Sequence, residues 1–142
     1  MKDIFIDTNA ALHLHNPVDA EYKNFLRWLF SVGCLAVSNA LLTEYGRSNQ
    51  NLITITDRLL REGRLNRISN NDLKKIRHPK QVERKFTSNR KDWEHIKVVM
   101  LSHRKYAIIE DKNFRNDVNN YPKVKGKKAI GVSRPEEISY TN

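Results

Sequence analysis

Four acidic residues fall at positions where a parallel α/β fold gathers polar groups. Asp7 and Asp111 each follow a short apolar run, and Glu44 and Asp92 lie in the opening turns of segments with helical spacing. The carboxyl ends of parallel strands meet at one edge of a sheet, so all four carboxylates can converge there. This convergence is the first chemical hypothesis that the sequence offers.

Carboxylates brought within a few ångströms repel one another unless a divalent cation neutralises them. A ligand set made only of oxygen atoms favours Mg²⁺ or Mn²⁺ over zinc. Each acid also has a plainer interpretation. Asp7 can cap a helix or face water, Glu44 can face water, and Asp92 in a first helical turn can simply compensate the helix dipole.

The elements that position these acids follow from hydrophobic spacing. Residues 4–6, 34–37 and 106–109 are short apolar runs typical of buried parallel strands, and a last strand is predicted over residues 125–132. Apolar residues at helical spacing predict an amphipathic helix over residues 19–31. A strand, a helix and a second strand form a βαβ unit, so the sequence predicts an α/β protein with an open, mainly parallel sheet.

Further helices are predicted after the second strand. One begins near Ala40, with Ser38 and Asn39 as caps, and another runs from Leu52 to a break at Gly63. Shorter helices are expected around residues 73–76 and 82–86. A longer helix, capped by Ser88 or Asn89, carries Asp92 in its first turn, and His95 on the same helix is expected at the surface.

The middle of the chain is strongly basic. Between Arg58 and Lys91, twelve lysines and arginines stand against three acids, which accounts for most of the net charge of +10. This excess favours a surface for the phosphate backbone of a nucleic acid over a merely solvated helical face. The predicted phosphate contacts are Arg58, Arg61, Arg64, Arg67, Lys74, Lys75, Arg77, Lys80, Arg84 and Lys85.

The length and composition of the chain indicate its number of domains and its compartment. With 142 residues, 30% charged and 39% hydrophobic, the chain is expected to form a single domain over residues 1–142, with a basic helical segment at about 52–91. One cysteine, Cys34, cannot form an internal disulfide. No secretory signal and no apolar stretch of membrane length is recognisable, so a cytoplasmic protein without membrane contact is expected.

The acids and their neighbours resemble the motifs of the PIN domain, and they occur in its order. The matching stretches are Ile6-Asp7-Thr8-Asn9, Ser38 through Gly46, Asp92 through Ile96, Ile108 through Phe114 and, near the end, Val132 through Glu137. The resemblance implies a Rossmann-like α/β/α sandwich that cleaves RNA, or less often flapped DNA, with Mg²⁺ or Mn²⁺. Asp7, Glu44, Asp92 and Asp111 would then bind one or two ions, supported by Thr8, Asn9 and Ser38.

Small members of this family are often toxins held inactive by an antitoxin protein, and they commonly form homodimers. The sequence departs from the family pattern at two positions. Ile109 stands where many relatives carry a hydroxyl residue, and Asn113 stands where an acid is frequent. These departures weaken the second metal position, which Glu110 or Asp117 could partly replace.

The sequence therefore predicts a metal-dependent endoribonuclease, and the resemblance implies that it can be the toxin of a toxin-antitoxin pair. Two alternatives remain open at this stage. One is a non-catalytic nucleic-acid-binding module whose acids only cap helices and pair with basic residues, and the other is a DNA flap nuclease.

Overall fold

A five-stranded, all-parallel sheet forms the centre of the protein in a computed structural model that describes residues 1–142. The strands lie in the order β3-β2-β1-β4-β5. Their bounds are β1 Asp3–Ile6, β2 Cys34–Val37, β3 Leu65–Arg67, β4 Tyr106–Ile108 and β5 Ile130–Val132. The predicted α/β sandwich with a parallel sheet is confirmed.

Strand β1 lies in the middle of the sheet, and the order of the strands reverses beside it. On one side β1 pairs with β2, and on the other side Ile6 lies opposite Ile108 of β4. The chain thus builds the sheet outward in one direction through β2 and β3, then crosses back to β4 and β5. In open parallel sheets, ligands bind in the crevice at such a switch point, outside the carboxyl ends of the strands.

Eight α-helices and two short 3₁₀ helices connect the strands. No helix is both long enough and apolar enough to span a lipid bilayer. The α-helices are α1 Thr8–Ala11, α2 Ala20–Ser31, α3 Asn39–Ser48, α4 Gln50–Arg61, α5 Asn70–Lys75, α6 Lys80–Glu83, α7 Arg90–Leu101 and α8 Lys112–Asn119. The 3₁₀ helices are Leu12–Leu14 and Pro135–Glu137.

The helices contact one another in two groups. Helix α3 packs against α1 and α4, whereas α7 packs against α5 and α8. Crossovers between parallel strands are almost always right-handed, and the sheet grows from β1 in opposite directions. The two groups therefore lie on opposite faces of the sheet.

The hydrophobic core surrounds β1 and β2, where every residue is buried. One cluster of 32 buried residues joins the strands to the inner faces of the helices. Asp3 of β1 is completely buried and accepts hydrogen bonds from the backbone N–H groups of His103 and Arg104 and from the side-chain amide of Asn66. Its carboxylate thereby fixes the turn that enters β4.

Three elements differ from the sequence predictions. Strand β3 was not predicted, because its three residues lie half exposed at the sheet edge and form no apolar run. The last strand begins at Ile130 rather than at residue 125, because Lys125 and Gly126 form a turn with positive φ angles. Helix α8 was not predicted either. It contains three asparagines, which are poor helix formers, and it depends on its cap and on burial.

Candidate active site at the carboxyl edge of the sheet

Polar residues follow four of the strands at the carboxyl edge. Asp7 comes directly after β1, Ser38 after β2, Asp111 three residues after β4, and Ser133 after β5. The backbone N–H of Asp7 donates to the carbonyl of Ile108 at 2.9 Å, which joins the ends of β1 and β4 at the switch point. The fold therefore delivers Asp7 and Asp111 to the same crevice.

Asp7 is a buried carboxyl group, with only 9% of the residue exposed. The pKa of its carboxyl group is raised from 3.8 to about 6, mainly by burial and in smaller part by the negative charges of Asp92 and Glu44. The backbone N–H of Thr8 and the nearby His95 act in the opposite direction. Asp7 thus shares its electrostatic surroundings with two of the three other predicted acids.

Asp92 lies in the first turn of α7, as predicted, and is half-buried. Burial raises the pKa of its carboxyl group, His95 lowers it, and the charge of Asp111 raises it again. Asp111 itself is exposed and caps α8, where its Oδ1 accepts a hydrogen bond from the N–H of Phe114 at 2.8 Å. The four acids are thus linked electrostatically, because Glu44 and Asp92 act on Asp7, and Asp111 acts on Asp92.

Glu44 of α3 reaches the site through a histidine that the sequence interpretation placed wrongly at the surface. His95 is only 3% exposed, packs beside the rings of Phe5 and Phe114, and donates from Nε2 to Glu44. Its Nδ1 is buried without a hydrogen-bond partner. The signal available in the sequence was its position: His95 is one turn after Asp92, on the same face as buried Ile96 and Val99.

Three residues were predicted to support the acids, and each has a distinct setting. Ser38 is buried, and its Oγ accepts from the N–H of Leu41, so it caps α3. The Oγ1 of Thr8 is buried without any partner, and Asn9 is exposed. Sequence reasoning did not identify Tyr45, whose fully buried hydroxyl donates to the carbonyl of Ile6 and holds the strand end beside Asp7.

Asp117 does not present a free carboxylate, but it supports the start of the helix that carries Asp92. It is 3% exposed, and its two oxygens accept four hydrogen bonds, from the backbone N–H and the hydroxyl of both Thr87 and Ser88. These residues lead into α7, so Asp117 sets the start of the helix that carries Asp92. Glu110 is paired with His13 at 2.7 Å. Neither acid is free to replace the group missing at Asn113.

The donor chemistry of the crevice fits a hard divalent cation. Carboxylate oxygens predominate, and the buried hydroxyl of Thr8 is an additional oxygen that no protein group satisfies. The side chains themselves are spread out, because no three histidine, cysteine, aspartate or glutamate residues stand close enough together to hold a metal ion. Binding of an ion would therefore require the carboxylates to draw inward.

The ten basic residues predicted to contact phosphate divide into two groups. Three are occupied within the fold. Arg64 donates to the carbonyls of Leu29 and Phe30, Arg67 donates to Asn39, and Arg58 stacks on Phe30 at 3.9 Å. The other seven are exposed and unpaired: Arg61, Lys74, Lys75, Arg77, Lys80, Arg84 and Lys85.

A basic cavity of about 530 Å³ lies beside the first turns of α7. Its cationic residues are Arg77, Lys80, Arg90 and Lys97, and the half-buried Trp93 forms part of its wall. Asp92 precedes Trp93 on α7, but neither Asp92 nor any of the other three acids lines this cavity. Comparison with protein-family models, with curated proteins and with solved structures found no match to this chain.

Proposed function

We propose that this protein is a metal-dependent endoribonuclease of the PIN type. One observation supports this function above all others. At the switch point of a parallel sheet, a buried aspartate with a pKa raised to about 6 lies within the electrostatic reach of two further acids. Like charges gathered in a buried crevice are costly for folding, and perturbed carboxyl groups in clefts are frequent at catalytic centres.

Each acid has a separate task in this mechanism. Asp7 and Asp111, at the ends of neighbouring strands, bind the principal cation. Glu44, held by His95, and Asp92, at the start of α7, orient the attacking water or bind a second ion. When bound, Mg²⁺ or Mn²⁺ lowers the pKa of a water molecule and offsets negative charge on the phosphate. No histidine is needed as the base, so His95 acts by positioning Glu44.

The proposed substrate is RNA, which the protein would bind through the phosphate backbone. The cavity beside α7 has four cationic side chains against two acids, of which Glu94 pairs with Lys97, and this excess of positive charge suits the phosphate backbone of RNA. Trp93 offers a ring on which a base can stack, a contact that the basic segment lacks elsewhere. Backbone contacts of this type give little sequence selectivity and weaken steeply as salt is raised.

A second candidate function is a non-catalytic nucleic-acid-binding module. It is favoured by the fact that two of the acids already have partners, since Asp111 caps α8 and Glu44 binds His95. In such a module the acids stabilise the fold and the basic surface alone binds nucleic acid. The two functions differ in two respects that can be measured, which are turnover and the binding of a divalent cation.

The test is RNA cleavage by Asp7→Asn in the presence of Mn²⁺. We expect cleavage to fall by about a thousandfold, since metal ions stabilise the transition state by several kcal/mol and each 1.4 kcal/mol is about tenfold. RNA binding should stay equal or become tighter. The matched control is Asp57→Asn, an exposed acid of α4. Unchanged cleavage in Asp7→Asn would overturn the proposal, and hairpin and flap substrates assayed in parallel would identify a DNA nuclease.

A further inference from the structure

A second cavity lies at the opposite, amino edge of the sheet. Its volume is about 600 Å³, within the range of small-molecule sites. It is formed where α5 and α7 end, at the turn that enters β4 and at the turn before β5. No residue of the proposed nuclease site contributes to it, so this cavity is independent of the acids.

The cavity is lined by four lysines, Lys75, Lys105, Lys125 and Lys127, against one acid, Asp72. None of these lysines forms an ion pair with the protein. The floor is partly apolar, through residues such as Met100. Four like charges around one cavity repel one another, and a bound anion would offset that repulsion.

Lys105 is the best-defined part of this cavity. It is only 5% exposed and has a left-handed backbone, with φ at 59°, which is uncommon for a lysine. Burial lowers the pKa of its ammonium group, and the charges of Lys127 and Lys125 lower it further. The structure gives the ammonium group one acceptor, the carbonyl of Ser102 at 3.0 Å, whereas an ammonium has three donors.

The turn around Lys105 is held in place from several sides. Asp3 accepts from the N–H groups of His103 and Arg104, and the N–H of Lys105 donates to the hydroxyl of Ser102. Uncommon backbone conformations persist where the surroundings fix them, and they cluster at ligand sites. The fold thus keeps a buried cation at the wall of a cavity with three more cations at its rim.

We infer that this cavity at the amino edge binds an oligophosphate group, carried either by a free nucleotide or by the 5′ end of an RNA strand. Lysine carries a compact point charge that suits phosphate. The cavity contains no arginine, whose planar guanidinium group matches carboxylates, so a carboxylate ligand fits it less well. The apolar floor leaves room for the attached nucleoside. This inference does not depend on the proposed nuclease function.

The test is calorimetric titration with inorganic tripolyphosphate at low ionic strength. The variant combines Lys75→Gln with Lys125→Asn, because asparagine tolerates the positive φ of 51° at residue 125. The matched control removes two exposed basic residues of α2 that lie outside both cavities, by Lys23→Gln and Arg27→Gln. We expect saturable binding by the wild type, at least about tenfold weaker binding by the cavity variant, and less than about twofold change in the control.

Two further titrations identify the source of the phosphate. ATP and a short RNA with a 5′ triphosphate are compared with the same RNA lacking 5′ phosphate. If the cavity variant loses affinity for ATP, the ligand is a nucleotide, and if it loses affinity only for the triphosphorylated RNA, the ligand is an RNA end. The inference is overturned if the wild type shows no saturable binding, or if the cavity and control variants lose affinity equally.

Discussion

The two edges of the sheet gather charges of opposite sign. At the carboxyl edge, Asp7 and Asp92 have pKa values raised first by burial and then by neighbouring acids. At the amino edge, the pKa of Lys105 is lowered first by burial and then by neighbouring lysines. In both places the fold keeps charged groups where their charged form is disfavoured, which points to a ligand of opposite charge at each edge.

Each edge also contains a buried aspartate that is fully provided with hydrogen-bond donors. Asp117 receives four hydrogen bonds at the carboxyl edge, and Asp3 receives three at the amino edge. Asp7, in contrast, is buried without comparable donors. The number of hydrogen-bond donors around each carboxylate therefore separates acids that stabilise the fold from acids that are available for metal binding or catalysis.

Removing an acid assigned to chemistry should cost activity rather than stability. Asp111→Asn is the sharpest variant, because asparagine caps helices about as well as aspartate but loses the charge. We expect RNA cleavage to fall by about a thousandfold and the free energy of unfolding to change by less than about 0.5 kcal/mol. Asp57→Asn, which changes an exposed acid of α4, is the control. A large loss of stability with normal cleavage would reverse the assignment.

Removing the aspartates assigned to the fold should cost stability at both edges. Asp117→Ala and Asp3→Ala each remove a buried carboxylate and leave several partly buried donors without partners, so we expect each to lower the free energy of unfolding by about 3 kcal/mol. Urea denaturation measures this loss. At a temperature where both variants are folded, only Asp117→Ala should also slow RNA cleavage, because it loosens the segment before Asp92. Equal cleavage by both variants would contradict this division.

The cost of charging Asp7 should appear as pH dependence of stability without metal. Since the folded pKa is raised to about 6, the folded state holds its proton more tightly, and stability is lost as the pH rises from about 4 to 6. Asp7→Asn removes this loss. In a chelating buffer, the variant should therefore gain about 2 kcal/mol relative to the wild type between pH 4 and pH 7.5. A constant difference across this pH range would show that the Asp7 carboxyl group is not perturbed.

The matching experiment at the amino edge has the smallest expected effect. The pKa of Lys105 is lowered, so its charged form destabilises the folded state at neutral pH, and this cost disappears as the pH rises through the folded pKa. Relative to Lys105→Met, the wild type should gain stability between pH 7 and pH 10, by less than about 1 kcal/mol. Thermal unfolding of both proteins across this range measures the change, and a loss in place of a gain would contradict it.

The acids were predictable because their positions follow from local patterns. Asp7 and Asp111 come just after apolar runs, and Asp92 falls in a predicted first turn, so the parallel topology placed them at one edge of the sheet, although their side chains do not form a close cluster. The burial of His95 was not predicted, because a histidine among the apolar residues of a helix can lie either in the core or at the surface. Its burial depends on Glu44, which is 51 positions away in the sequence.

The amino edge was not predictable in the same way. Its lysines come from three separate segments, and they meet only because Asp3 fixes the turn before β4 and because Lys125 and Gly126 reverse the chain before β5. Charge counting had placed the basic surface in the middle of the chain. Three of those residues, Arg58, Arg64 and Arg67, instead stabilise the fold through contacts that no local pattern indicates.

The central claim is that the acids at the carboxyl edge bind a divalent cation. Calorimetric titration of the metal-free protein with Mn²⁺ tests it most directly, with Asp7→Asn and the control Asp57→Asn measured alongside. We predict saturable binding by the wild type and the control, and none by Asp7→Asn, although all three proteins remain folded. The absence of saturable binding by the wild type, or equal binding by Asp7→Asn, would contradict the claim.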